Sequence, residues 1–167
     1  MMNDVRIEQI VKAKQPKYAL ALKILMIFLC LLSLTVARFS PAIAVVLTAC
    51  FVVFTVLLFR YYDAEFEYTF VEHELMVDRI MAKSSRRKGE TFDLNKLEIM
   101  APVGSDKTAY RENQRYKLFD YSSGTAEDVY VMFVPSNAEM VKVIFEPNEA
   151  MQQAIKNIAP AKVTLKK

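Results

Sequence analysis

Residues 18–62 read YALALKILMIFLCLLSLTVARFSPAIAVVLTACFVVFTVLLFRYY, and between Ile24 and Phe59 the only charged side chain is Arg38. A helix of about 20 residues rises roughly 30 Å, the thickness of a bilayer's hydrocarbon layer. Tyr18–Ala37, interrupted only by Lys23, and Pro41–Phe59 each approach that length. Arg38-Phe39-Ser40 is all that joins them, and Pro41 suits the first turn of a second helix. So short a link makes the two segments an antiparallel hairpin. Lys23 sits near the start of the first span, where its stem can reach the headgroups. Arg60, Tyr61 and Tyr62 close the second span as interfacial anchors.

Outward from this hairpin the charge is unevenly shared. The 167 residues carry 22 basic and 19 acidic side chains, a formal net +3. Through Tyr62 there are Arg6, Lys12, Lys14, Lys17, Lys23, Arg38 and Arg60 against Asp4 and Glu8, so the remainder of the chain is slightly acidic. Basic residues crowd the N-terminal flank, whereas Arg38 stands alone at the hairpin tip. By the positive-inside rule this predicts a two-span protein of the cell membrane with both termini cytoplasmic. Leu47-Thr48-Ala49-Cys50 resembles a lipoprotein processing box, but nine apolar residues follow it, so Cys50 reads as an ordinary membrane cysteine. Residues 1–17 form a cytoplasmic segment with two readings. It is an interfacial helix capped by Asn3 or Asp4, with Ile7, Ile10 and Val11 on one face, or a tail whose lysines set topology.

After Tyr62 the apolar period changes from helical to two. Phe66, Tyr68 and Phe70 alternate with Glu67, Thr69 and Val71, and Leu75, Val77, Arg79 and Met81 with Met76, Asp78, Ile80 and Ala82. Glu72-His73-Glu74 reads as the turn between them, and Ser84–Gly89 as the next. Gly89, Gly104 and Gly124, the only glycines, each read as a turn residue of positive φ. Further strands are expected over 90–94, 97–103, 116–121, 128–134 and 139–145, with 104–115 an aperiodic polar loop. The last two form a hairpin around Pro135-Ser136-Asn137, with Val141, Val143 and Phe145 facing inward. A C-terminal helix over 147–159 shows one apolar stripe, Met151, Ala154, Ile155 and Ile158, and Pro160 stops it. A basic tail, 161–167, ends the chain. Residues 63–160 thus read as a mostly β, α+β domain. It is a curled antiparallel sheet or partial barrel of about seven strands, capped by one helix.

That plan resembles the bacterial pleckstrin-homology-like (PH-like) domains. More closely, the chain resembles a family of small two-span membrane proteins of clostridia and related Gram-positive bacteria, which carries a domain-of-unknown-function label. The resemblance rests on Asn3-Asp4-Val5 with Glu8-Gln9, Phe66-Glu67-Tyr68, Phe92-Asp93-Leu94, Ala101-Pro102 with Gly104-Ser105, Tyr121-Ser122-Ser123-Gly124 and Phe145-Glu146-Pro147-Asn148-Glu149. It implies architecture and no catalytic residues.

The chemistry is bounded by what the chain lacks. One histidine, His73, and two cysteines within apolar runs, Cys30 and Cys50, provide no metal-ligand spacing. Three scattered glycines cannot cradle a phosphate. Asp93, Asp120, Glu127 and Asp128 are dispersed, with no nucleophile and base in register, so no enzyme activity, metal or cofactor is expected. A slightly acidic domain argues against nucleic acid, even with Lys162, Lys166 and Lys167 in the tail. Lys83, Arg86, Arg87 and Lys88 form the sharpest local feature. With two strands of about 25 Å running out and back, that turn returns toward the bilayer, a candidate contact with anionic lipid headgroups. In well-known pleckstrin-homology domains the first hairpin holds the basic residues; here it is acidic. Tyr110 and Arg111 mark a candidate binding loop. The expectation is a non-catalytic membrane-anchored adaptor or sensor that binds a protein or anionic lipid. The alternative is a structural subunit of a larger membrane complex, assembling through Ser33, Thr35, Ala42, Ala44, Thr48, Ala49 and Thr55 on its spans.

Overall fold

The computed structural model describes residues 6–81, 85–112, 114–136 and 139–166. The chain divides into two compact units. One is Gln15–Ala64, and the other joins Met1–Lys14 to Glu65–Lys167.

The first unit is a helical hairpin, α1 (Tyr18–Thr35) and α2 (Pro41–Tyr62), joined by a 3-10 turn over Val36–Arg38. Pro41 opens α2 as its missing N–H permits, and Arg60-Tyr61-Tyr62 continue that helix beyond the expected end at Phe59. The facing sides are small and polar. Ser33 and Ala44 are buried, the Ser33 and Thr48 hydroxyls meet at 2.7 Å, and Cys30 Sγ lies 3.6 Å from Thr55 Oγ1. Outward, the helices expose Leu20, Ile24, Phe28, Leu31, Val45, Phe54 and other large apolar side chains. Both are long and apolar enough to cross a membrane.

The second unit begins with a correction. Arg6–Lys12 is a β-strand, β1, and not an interfacial helix; Asn3 and Asp4 lie outside the described residues. β1 pairs antiparallel with β2 (Ala64–Val71) from Arg6↔Val71 to Lys12↔Glu65. Strand alternation turns Ile7, Gln9 and Val11 to the core and leaves Ile10 60% exposed, so the helical grouping of Ile7 with Ile10 fails. The ladder decides the matter, because a short isolated helix is marginal in water whereas an edge strand gains backbone partners at every other residue. Residues 13–63 are therefore an insertion between two neighbouring strands.

β3 (Glu74–Met81) and β4 (Ser85–Asp93) complete a sheet of order β1-β2-β3-β4. A second sheet has the order β5-β7-β8-β6, from β5 (Ile99–Pro102), β6 (Lys117–Asp120), β7 (Tyr130–Ser136) and β8 (Glu139–Phe145). Among the described residues there are thus eight strands in two sheets rather than seven in one curled sheet. One pairing, β6 with β8, is parallel. Ser136 and Pro135 belong to β7 rather than to a turn, and Asn137 lies outside the described residues. The expected loop 104–115 contains a short helix, α3 (Asp106–Glu112), seated by buried Thr108.

The expected turn at Ser84–Gly89 is also corrected, since β4 already runs from Ser85. Between the pairs Val77↔Glu90 and Arg79↔Arg87, β3 advances two residues and β4 three, which is a bulge at Lys88–Gly89. Gly89 donates to Asp78 Oδ1 at 2.9 Å, and a Cβ there would stand 1.6 Å from the Val77 carbonyl oxygen. Close backbone approach, rather than positive φ, is what demands this glycine.

α4 (Glu149–Ile158) closes the core with Met151 and Ile155. Its cap is Asn148, whose Oδ1 accepts from Met151 N at 2.8 Å, so Pro147 lies before the helix and not in it. The tail is held in place. Met100 donates to Lys162 O at 2.9 Å, Thr164 donates to Met100 O at 2.8 Å, and Val163 is buried against the edge of β5.

Candidate functional site

Gln9, Tyr68, Ser123 and Glu146 converge where β1, β2, the segment after β6 and the start of α4 meet. Gln9 Nε2 donates to Glu146 O at 2.7 Å, and its Oε1 accepts from Asn148 N at 2.7 Å. One side-chain amide thus stands in for a strand partner. Tyr68, fully buried, donates through Oη to Tyr121 O at 2.6 Å. Burial drives its phenol far above the ordinary range, so it stays protonated. The buried Glu146 carboxylate accepts from Ser123 N at 2.7 Å and Ser123 Oγ at 2.9 Å. These groups satisfy one another, which is the work of a brace rather than of a reactive centre.

The dispersed carboxylates have the same character. Asp93 caps the turn at Leu94–Lys96. Burial opposes its ionisation, yet the Asn95 amide and the Lys96 ammonium hold it below the usual carboxylate range. Asp120 accepts from Ser122 N and Oγ, and Asp128 pairs with Lys166 at 2.8 Å. That pair engages the tail lysine singled out in the sequence; Lys167 lies outside the described residues. His73 sits in the turn between β2 and β3, where its carbonyl accepts from Leu94 N at 2.7 Å. Among the described residues no group of three or more His, Cys, Asp or Glu is placed to hold a metal ion. An open groove of about 500 Å³ lies along α4 and the tail, lined by Asp128, Tyr130, Glu149, Gln152 and Lys166 among others.

The basic cluster is divided by the fold. Lys83 lies outside the described residues. Arg86 faces outward opposite Ile80 and is bonded to the Glu67 carboxylate, with Asp78 at 3.8 Å. Glu67 is only 8% exposed, so Arg86 neutralises a desolvated charge and has a structural task. Arg87 and Lys88 are exposed on β4. Arg87 lies directly opposite Arg79 and on the same face. Tyr110 is exposed on α3, while Arg111 is tied to Glu98 and stacks over the Tyr110 ring.

A family model described as a bacterial PH-like domain (DUF6106) matches residues 3–165. The chain belongs to that family. The matched range runs across the helical hairpin as well as both sheets. No curated protein and no solved structure matches the chain. Within this PH-like chain, the stretches that carried the sequence resemblance meet around the brace: Glu8-Gln9, Phe66-Glu67-Tyr68, Tyr121–Gly124 and Phe145–Glu149. Two residues that sequence reasoning passed over as sites, Gln9 and Arg79, take part in these arrangements. The signal for Arg79 was available, because an arginine interrupts the inward-facing series Leu75, Val77.

Proposed function

We propose that this PH-like chain is a non-catalytic adaptor held at the cytoplasmic face of the cell membrane, whose two-sheet unit binds a partner. The observation that carries this reading is the insertion of an apolar hairpin between β1 and β2. Such a hairpin exposes too many large apolar side chains for water, and a bilayer is the solvent that accepts them. Lys12, Lys14 and Lys17 precede α1, Lys23 lies near its start and Arg60 in the last turn of α2, and these basic residues support the orientation with both termini inside. The carboxylates Asp93, Asp120, Asp128 and Glu146 are engaged in caps, braces and ion pairs, which supports binding over catalysis.

The facing residues Ser33, Ala44, Thr48 and Thr55 pack α1 on α2, so they support the hairpin itself more directly than an outside helix. Crosslinking in native membranes tests the proposal. The full chain is compared with one whose helices are replaced by an unrelated two-span hairpin. Capture of the same protein by both is expected. Loss of all partners on replacement would overturn the adaptor reading and assign the interaction to the spans.

A further inference from the structure

The β3–β4 hairpin is electrically polarised along its length. At one end Glu74 lies opposite Asp93; five residues along β3, Arg79 lies opposite Arg87. At about 3.3 Å per residue the two like-charged pairs are roughly 16 Å apart. The acidic end also carries Glu72, and Lys96 at 3.4 Å offsets part of the Asp93 charge. Strand directions say which end is which. β1 finishes at Lys12, opposite Glu65, and β2 starts one residue after α2 ends, with only Asp63 between. β3 neighbours β2 and is joined to it by Glu72-His73 alone, a connection that only an antiparallel pair permits, so Met81 and Ser85 return to the end of the sheet at which β2 begins. The Arg79–Arg87 pair is therefore toward the end of the sheet at which β1 finishes and β2 begins, and the acidic pair is toward the opposite end.

Arginines opposite one another weaken a ladder unless they serve an anion, and two guanidinium forks match phosphate oxygens. Arg79 also interacts within the domain, so exposed Arg87 is the principal contact and Arg79 its support. Arg86, facing the other way and engaged by Glu67, is excluded from this role.

We infer that Arg87, backed by Arg79, contacts the phosphate groups of anionic phospholipids in the bilayer that holds the hairpin. This inference rests on the membrane reading above and names the surface that the PH-like unit meets. The acidic far end favours the same orientation, since it is repelled by an anionic leaflet. One basic residue near such a leaflet changes an equilibrium by about fivefold.

The test uses the full chain in nanodiscs of phosphatidylcholine alone or with phosphatidylglycerol, read by amide hydrogen exchange over residues 85–90. Slower exchange is expected in the anionic discs, by about fivefold, with the difference abolished by high salt and by Arg87→Gln. Arg87→Glu should reverse it. Arg86→Gln should loosen the sheet in both lipids alike and leave the lipid dependence intact. Equal exchange in the two lipids would overturn the inference while the membrane reading stands. Protection by inorganic phosphate in neutral discs would overturn it in favour of a free-anion site. Failure of the chain to enter either disc would overturn both readings.

Discussion

Replacing Gln9 by alanine tests whether the N-terminal segment is a strand of the PH-like unit. The glutamine makes two bonds of 2.7 Å, to the Glu146 carbonyl and from the Asn148 amide. Glu146 is buried, so the substitution removes the partner of a carbonyl on a buried residue. Asn148 is exposed, and water replaces its lost acceptor. A stranded buried acceptor costs about 1–3 kcal/mol, and the exposed donor adds little. Each kcal/mol lowers the Tm of a small domain by about 4–8 °C. Glu8→Ala is the control, because Glu8 points to the outer face and pairs with exposed Arg6, an interaction worth less than about 1 kcal/mol. Thermal unfolding of the full chain in detergent, with hydrogen exchange at the first turn of α4, reads both. Gln9→Ala should lower the Tm and speed exchange near Met151, whereas Glu8→Ala should do neither. Equal behaviour of the two variants would refute the strand and the clasp together.

Four further outcomes follow from the same structure. Joining Lys12 to Glu65 by a short turn in place of residues 13–64 should give a water-soluble, cooperatively folding unit, whereas residues 65–167 alone should aggregate or unfold, as circular dichroism and sedimentation would show. Burial raises the phenols of Tyr68 and Tyr121 above their ordinary value near 10, so the unfolded chain loses these protons first and stability falls as pH rises above about 10, by roughly 1.4 kcal/mol per pH unit for buried Tyr68 and by less for partly exposed Tyr121; urea titrations of Tyr68→Phe should show a shallower fall. Gly89→Ala should cost at least about 1–3 kcal/mol and deprotect the β3–β4 amides, since its Cβ would collide with the Val77 carbonyl; native-like exchange there would refute the bulge. Ser33→Ala removes the hydroxyl contact with Thr48 and should weaken the helical hairpin by about 0.6 kcal/mol, measurable by steric trapping in bicelles.

The two-residue period made most strands legible, and the stripe Met151, Ile155 with Ile158 announced α4. Two features escaped because their causes are non-local. Arg6–Lys12 has neither a long apolar run nor a turn beside it. Its strand character comes from pairing with residues some sixty positions away, across the helices. Short segments of mixed polarity also fit a helix, and only the partner breaks that tie. The bulge at Lys88–Gly89 hid the start of β4, because polar Ser85–Gly89 has turn composition and its strand state depends on Val77–Met81 opposite. The division of the basic cluster was likewise invisible. Which arginine meets Glu67 and which meets another arginine is decided by the extra residue of the bulge, which flips every side chain beyond it to the other face.

The place of the insertion links fold and site. Lys12 and Glu65 are cross-strand neighbours, so the chain leaves and re-enters the sheet about one strand spacing apart, near 5 Å. Packed helices lie about 8–10 Å apart, so α1 and α2 need only the few residues 13–17 on one side and Asp63 on the other to adapt one spacing to the other. A long segment in the position of a hairpin loop adds little to the closure entropy, because that cost grows only with the logarithm of length. The two-sheet core is thus assembled from both sides of the helices, and neither part of the chain completes it alone. Two adjacent strands carry the connection. Charges on the strands beside them are consequently fixed in register with the point of attachment. The lipid contact proposed for Arg87 draws on that register, with the basic pair toward the start of β2 and the acidic pair away from it.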